Sequence, residues 1–185
     1  MYGQSSKSAS ILKKIILVAI LAFIGYSIYH YFISTTDITP YLNYEKEQLE
    51  DKLDVSLEPN SKMVKKIDAY TKGTVTVDGD QKNGIAMFYI DGIRSGIHID
   101  NSKYSMYGIK LGTAEQKVKK VMTFQYDKHF NVLDDMMKGS STATFYCNST
   151  TNECIVVICN GTTNRVVAIT YFNNMRKATE NLSSL

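Results

Sequence analysis

Residues 142–169 read TATFYCNSTTNECIVVICNGTTNRVVAI, and this stretch decides the fold. The alternation over 142–145 and the β-branched run over 155–159 are typical of β-strands. The dipeptide Asn160-Gly161, which follows the second run, supplies the positive φ that tight hairpin turns need. The stretch therefore predicts consecutive antiparallel strands joined by short turns.

The same pattern occurs earlier in the chain, which indicates an internal duplication. Alternating residues at 74–77 and an apolar run at 85–90, which ends in Asp91-Gly92, repeat the order of the quoted stretch. Upstream of both sets, apolar residues recur at the spacing of an amphipathic helix. The residues that correspond are Leu42, Leu49, Leu53, Val64, Ile67, Ile97 and Ile99 in the first copy, and Leu111, Val118, Met122, Phe130, Leu133, Val167 and Ile169 in the second.

These correspondences predict an α+β domain built from two helix-helix-antiparallel-strand repeats, at about 38–100 and 104–172. Each sheet would be covered by its own helix pair. The two sheets would join edge to edge as one sheet, which also hides edge strands.

A short motif at 107–112, YGIKLG, leads into the predicted helix that carries Val118 and Met122. It resembles the opening of a class of secreted bacterial modules that includes the β-lactamase-inhibitor-protein-like repeats and modules associated with CAP-superfamily proteins. The resemblance covers roughly residues 38–172, although Asn43 stands in the first copy where the motif has glycine. It implies a tandem extracytoplasmic module, binding or inhibitory, with no fixed ligand.

The N-terminal region has the composition of a membrane anchor. Residues 15–33 read IILVAILAFIGYSIYHYFI and contain no formally charged side chain. A helix of this length extends about 28 Å, close to the hydrocarbon thickness of a bilayer. Three lysines precede it, and positive charge is retained in the cytoplasm. We therefore predict a cytoplasmic tail at 1–14, a single-pass transmembrane helix at 15–33 in the cell membrane, and an extracytoplasmic domain at 34–185.

The net charge of +3 comes from those same three lysines. From Asp37 onward the chain holds 18 basic and 18 acidic residues and is neutral. The excess therefore orients the predicted anchor and gives no reason to expect a nucleic-acid partner.

Two of the three cysteines form a candidate disulfide. Cys147 and Cys154 flank a polar loop at the mouth of a predicted hairpin, where Cβ atoms of opposed residues come close enough to bond. Cys159 falls on the opposite face of its strand and is expected to be a small buried residue. The spacing is not that of a zinc site, so we predict no metal.

The sequence contains no assembled catalytic centre, and we predict that the protein is not an enzyme and needs no cofactor. No nucleophile has a glycine-flanked setting, and no pair of carboxylates stands out. The loop at 78–84 lacks the ligand pattern of a calcium site, so a solvated hairpin loop is the better interpretation.

If one sheet face is left uncovered, Met87, Tyr89, His98 and Tyr146 would form an exposed binding face. The favoured hypothesis is therefore a membrane-anchored extracytoplasmic binding or inhibitory module that recognises a protein or a cell-wall ligand of the envelope. The alternative is a structural subunit of an envelope machine, with a VirB8-like layout and an NTF2-like outer domain. Strand order distinguishes the two, because an NTF2-like fold wraps one curved sheet around a long helix and has no internal repeat.

Overall fold

The computed structural model describes the backbone of residues 5–33, 35–68, 71–122, 128–134 and 141–179, and the side chains of 14–27, 29, 35–64, 67, 71–122 and 141–179. The chain divides into two compact units, 1–35 and 36–185.

The first unit contains one helix, α1 (Ser5–Ile33), and it corrects the predicted membrane anchor. Among the residues described, no helix is long and apolar enough to cross a membrane. The prediction of a transmembrane helix at 15–33 is therefore wrong, and so is the single-pass membrane localisation that depended on it. Residues 28 and 30–33 of the predicted span, and 1–13 of the predicted tail, lie outside the residues with described side chains.

The second unit is a mixed α+β structure, which confirms the predicted α+β class. Its helices are α2 (Lys46–Leu53), α3 (Ser61–Asp68), α4 (Glu115–Met122) and α5 (Met175–Thr179), and a 3₁₀ turn spans Thr39–Tyr41. Its strands are β1 (Thr36–Asp37), β2 (Glu58–Pro59), β3 (Val75–Asp80), β4 (Ile85–Ile90), β5 (Ile93–Ile99), β6 (Tyr104–Met106), β7 (Ile109–Lys110), β8 (Lys128–Asp134), β9 (Ser141–Asn148), β10 (Glu153–Asn160) and β11 (Arg165–Phe172).

The main sheet has eight strands among the described residues, in the order β2-β3-β4-β5-β11-β10-β9-β8. We call β2–β5 half one and β8–β11 half two. The order within half two is that of half one reversed, and the halves meet where β5 pairs antiparallel with β11. At this junction Ile99 lies opposite Ile169, and these are residues that the internal sequence comparison aligned with each other. Pairing of equivalent residues is what a local two-fold axis through the junction requires.

One face of the sheet is covered by α2, α4 and the small sheet β1-β6-β7. The helices contribute Leu49, Leu53, Val118 and Met122 to this core, at the apolar spacing seen in the sequence. They pack against side chains such as Met87, Ile97, Val157 and Tyr171 from both halves.

The opposite face of the sheet holds a second core beneath α3 and α5. Met63 and Ile67 of α3 and Ala178 of α5 pack with apolar side chains of β3, β4, β9, β10 and β11, among them Phe88, Phe145 and Phe172. The rings of Phe88 and Phe172 meet edge to face at 5.0 Å between centroids, which joins the two halves on this side. Since both faces carry buried cores, neither matches the uncovered face on which the predicted binding surface depended.

The halves differ after their first helix. The sequence comparison predicted a helix through Phe130 and Leu133, but residues Lys128–Asp134 form strand β8 and pair with β9. A short apolar run fits the 3.6-residue period of a helix as well as the two-residue period of a strand. Here the pairing with β9 makes the segment a strand. Residues 136–139 of the predicted helix lie outside the described part of the chain.

Candidate functional site

The four residues predicted to form an exposed binding face do not form one. Met87, His98 and Tyr146 are buried, and Tyr89 is half-buried. Met87, Tyr89 and Tyr146 pack with the core beneath α2 and α4. Because both faces of the sheet are covered, alternation along a strand moves a side chain from one core to the other rather than into solvent.

His98 sits at the centre of the junction between the halves. It lies opposite Thr170 of β11, and its Nδ1 is 2.8 Å from the Thr170 hydroxyl oxygen. Its Nε2 is 3.9 Å from a carboxylate oxygen of Asp100. A fully buried imidazole held between two strands is placed to join them rather than to meet a substrate.

Cys147 and Cys154 are joined by a disulfide between directly opposed residues of β9 and β10. The bond closes the hairpin that carries the polar loop. Cys159 is buried as a free thiol beneath α4, and burial, with a smaller contribution from Glu115, raises the pKa of its thiol to about 11.

The side chain that the sequence did not single out is Arg94, near the start of β5. It is half-buried, its Nη2 donates a hydrogen bond to the carbonyl oxygen of Leu42, and its buried Nε has no acceptor among the described residues. Among those residues no carboxylate forms an ion pair with it. Burial lowers the pKa of this guanidinium, while the charge of Glu45 acts in the opposite direction. An arginine remains protonated even when it is partly buried, so the Arg94 guanidinium keeps its positive charge and has N–H groups free to donate hydrogen bonds.

Tyrosines of both halves flank Arg94. Tyr89 lies directly opposite it on β4, and burial raises the pKa of the Tyr89 hydroxyl. Tyr171 lies within electrostatic reach on β11, and burial, together with a hydrogen bond to Glu153, raises the pKa of its hydroxyl. Tyr171 itself is fully buried. We call Asn43, Tyr89, Arg94 and Glu153 the Arg94 surface.

A hydrogen-bond network fixes the side chains around Tyr171. Its hydroxyl donates to a Glu153 carboxylate oxygen at 2.7 Å, and its oxygen is 3.2 Å from the Asn43 amide. The hydroxyl has one hydrogen, so the 2.7 Å contact to the Glu153 carboxylate is its main hydrogen bond and the 3.2 Å contact to Asn43 Oδ1 is the weaker of the two. The network therefore orders Glu153 and Asn43 around the Tyr171 hydroxyl.

Three further tyrosines, Tyr41, Tyr44 and Tyr107, are half-buried at the edge of the same core. The rings of Tyr41 and Tyr44 are 5.3 Å apart between centroids. Tyr107 has a φ of +52° and is followed by Gly108 at +72°, in the two-residue turn between β6 and β7. A positive φ is rare for a bulky residue, and backbone outliers of this kind cluster at functional sites.

Half two contains a counterpart of Arg94. Arg165, near the start of β11, donates from Nη1 to the carbonyl oxygen of Gly112 at 2.7 Å. Leu42 and Gly112 belong to matching segments, each leading into the first helix of its half. Arg165 is exposed, whereas Arg94 is half-buried among tyrosines.

A metal centre finds no support in the side chains that the structure describes, because no group of three or more His, Cys, Asp or Glu residues could hold an ion there. Sequence reasoning missed Arg94 because no motif surrounds it. The available signals were the 13 tyrosines and the absence of tryptophan. Only the fold shows which tyrosines surround the arginine.

Comparisons with known proteins identify one distant structural likeness. No family model and no curated protein matches the chain. Among solved structures, an extracellular protein containing an SCP domain from Bacillus anthracis str. Ames is similar, with a TM-score of 0.46 and 10% sequence identity over 80% of this chain and 49% of that one. The chain thus spans about half the length of that protein. This is a weak and distant likeness, and membership of a tandem module class stays a prediction.

Proposed function

We propose that the chain is a binding module, extracytoplasmic and without a catalytic centre, that recognises a protein partner through the Arg94 surface. One observation carries the proposal. A half-buried arginine without a carboxylate partner among the described residues lies opposite the half-buried Tyr89. The buried Tyr171, which acts on this arginine electrostatically, holds Glu153 and Asn43 by hydrogen bonds.

The residue types support protein recognition. Tyrosine and arginine are over-represented among the side chains that contribute most to protein–protein affinity, and they act best when the free surface is already ordered. Tyr171 is held by Glu153 and Asn43, and Arg94 is held by Leu42, so little ordering remains for a partner to impose.

The chemistry of the described side chains supports binding over catalysis. His98 is buried against Thr170, and the free thiol of Cys159 is buried with its pKa raised to about 11. Neither is arranged as a nucleophile with a base. The Cys147–Cys154 disulfide supports a compartment outside the cytoplasm, since such bonds persist under oxidising conditions.

The strand order supports this proposal over a subunit with an NTF2-like domain. The two halves are arranged symmetrically about β5 and β11. The helices that cover the sheet in the described part of the chain are between five and eight residues long. A curved sheet around one long helix would show neither feature.

Affinity capture on the full chain tests the proposal. Wild type, Tyr89→Ala, Arg94→Gln and the matched control Arg165→Gln are exposed to extract of the producing cell, and bound proteins are quantified by mass spectrometry. We expect a protein whose recovery falls at least about tenfold with each of the first two variants, as for a central interface residue, and is unchanged with the third. The proposal fails if every captured protein is recovered equally by all four baits. Thermal melting confirms that each bait is folded.

A further inference from the structure

The two outer edges of the eight-stranded sheet are built differently. Half one ends in β2 (Glu58–Pro59), which is two residues long and pairs with β3. Half two ends in β8 (Lys128–Asp134), which is seven residues long and pairs with β9 along its whole length. Among the strands that the structure describes, β9 is the one neighbour of β8. The outer side of β8 is therefore the longer of the two edges.

A long edge strand offers hydrogen bonds to a further strand. In an antiparallel pair about half of the backbone groups bond to the neighbouring strand, and the others point away from it. Proteins block such edges with very short strands or with proline. The strand β2 has both features, since one of its two residues is Pro59. The strand β8 has neither, so the outer edge of half two is the one suited to pairing with another chain.

The sequence of β8 is complementary to itself in antiparallel pairing. The strand reads KHFNVLD from Lys128 to Asp134. Pairing of two such strands centred on Asn131 places Lys128 opposite Asp134, and these residues have opposite charges. It also places Phe130 opposite Val132, an aromatic residue opposite a β-branched one. Both kinds of cross-strand pair are favourable, and two-fold symmetry makes each pair occur twice.

We propose that two copies of the chain form a dimer through their β8 strands, paired antiparallel with Asn131 opposite the same residue of the second copy. The sheet of one copy then continues into the sheet of the other. The contact is isologous, and the other edge of each sheet ends in the blocked strand β2, so association stops at the dimer. The proposal goes beyond the proposed function and does not depend on it, because Tyr89 and Arg94 lie in half one.

Two observations favour a second copy over a strand of another protein at this edge. The charges at the two ends of β8 have opposite signs, so a second β8 supplies at each end the charge that the first one attracts. The chain also uses this kind of contact within itself. Its two halves are joined by antiparallel pairing of the equivalent strands β5 and β11, and the proposed dimer repeats that arrangement at the outer edge.

Cysteine crosslinking of the full chain tests the register. Directly opposed residues of an antiparallel pair have Cβ atoms about 4.5–5.5 Å apart, near enough for a disulfide after a small adjustment. We expect Asn131→Cys, in a Cys159→Ala background, to form a covalent dimer as its main product under a mild oxidant. In the matched control His129→Cys the two introduced thiols lie about 13 Å apart along the strands. This control and Glu58→Cys in β2 should stay monomeric on a non-reducing gel.

Charge reversal tests the pairing of the strand ends. Sedimentation equilibrium compares wild type with Lys128→Asp, Asp134→Lys and the double variant. Each single reversal places like charges opposite each other at two points of the dimer, so we expect its dissociation constant to rise by about tenfold. The double variant restores opposite charges and should associate as wild type does. An equimolar mixture of the two single variants should do the same, which also shows that both are folded.

Three results would overturn the proposal: a monomeric wild type, equal crosslinking of Asn131→Cys and His129→Cys, or a double reversal that does not restore association. A monomeric wild type whose Asn131→Cys variant crosslinks to another protein would make a foreign strand the occupant of the edge. Tyr89→Ala and Arg94→Gln should dimerise as wild type does. A dimer that forms without a captured partner would therefore support this proposal and leave the proposed function to fail by itself.

Discussion

Half one and half two of the sheet share a framework and differ at one corner. In both halves four strands follow the same order from the outer edge of the sheet to the junction. An arginine near the start of the junction strand, Arg94 or Arg165, donates a hydrogen bond to the carbonyl oxygen of a residue that precedes α2 or α4, Leu42 or Gly112. In half one that arginine is half-buried and the adjacent turn carries an exposed isoleucine. In half two the arginine is exposed, the turn is polar, and a disulfide closes the neighbouring hairpin.

The difference teaches which features serve the fold and which serve recognition. Features present in both halves, such as the arginine–carbonyl bond and the buried helix residues, are needed wherever a helix is attached to this sheet. Features present in only one half are free of that requirement. Tyr89 and the half-buried Arg94 of half one are therefore assigned to the proposed binding surface, and the disulfide of half two to stability.

The largest expected effect comes from the junction on which the comparison depends. A Cβ atom on Gly96 would meet the carbonyl oxygen of Tyr171 and, at 2.7 Å, the ring of Phe88. We expect Gly96→Ala to lower the free energy of unfolding by at least about 3 kcal/mol, since neither backbone nor packed ring can yield. Urea denaturation of the full chain measures it.

The control for this variant is Gly92→Ala. Nothing lies within 4 Å of a Cβ there, although the φ of +78° is unfavourable for alanine. We expect a loss of about 1–2 kcal/mol. Equal losses for the two variants would show that the halves are not packed tightly at β5 and β11.

The disulfide of half two gives the next effect. It joins residues 7 apart in sequence, and closing so short a loop in the unfolded chain is worth about 2–3 kcal/mol. We expect Cys147→Ala/Cys154→Ala to lower the free energy of unfolding by that amount, and hydrogen exchange to increase in β9 and β10 before β4 and β5. A reductant should affect wild type and leave this variant unchanged. Faster exchange in half one would contradict the assignment of the bond to half two.

The two arginines give a smaller and matched pair of effects. Loss of the partly buried bond from Arg94 to Leu42 should cost about 1–2 kcal/mol in Arg94→Gln. Loss of the exposed bond from Arg165 to Gly112 should cost at most about 0.5 kcal/mol in Arg165→Gln. Thermal melting of both variants checks the order. A larger loss for Arg165 would show that the two bonds do not differ in burial as described.

A further effect is a dependence of stability on alkaline pH to which Cys159 of half two contributes. Burial raises the pKa of this thiol from 9.0 to about 11, so the folded state favours its neutral form. Its contribution is complete below pH 9 and is lost as the pH rises towards 11, because the unfolded chain ionises first. We expect melting temperatures of Cys159→Ala to fall less than those of wild type between pH 9 and 11. Parallel curves would contradict this.

The sequence predicted the shared framework well because that framework depends on local patterns. Leu49, Leu53, Val118 and Met122 have helical spacing, and the structure buries all four on α2 and α4. The turn dipeptides before β5 and β11 also mark where hairpins form. The helix predicted through Phe130 and Leu133 is a strand instead, because the spacing of so short an apolar run fits a helix and a strand equally well and only pairing with β9 decides between them.

The candidate site could not be predicted in the same way. Arg94, Tyr171 and Asn43 are far apart in sequence, and their proximity depends on the β5–β11 register and on the loop before α2. Met87, His98 and Tyr146 were expected to be exposed, because alternation along a strand was expected to place every second side chain on a face of the sheet that contacts solvent. Both faces are covered, so alternation carried no information about exposure.

Site-specific photo-crosslinking compares the binding assignments of the two halves most directly. A benzophenone side chain is placed at Tyr44, beside the Arg94 surface, or at Thr113, the matching position two residues after Leu111 as Tyr44 is two residues after Leu42. Both positions are half-buried, so each reports on its own half with similar access. In the producing cell, we predict a discrete crosslinked protein from position 44 and none from position 113. Crosslinks of equal yield from both positions, or from position 113 alone, would contradict the assignment of binding to half one.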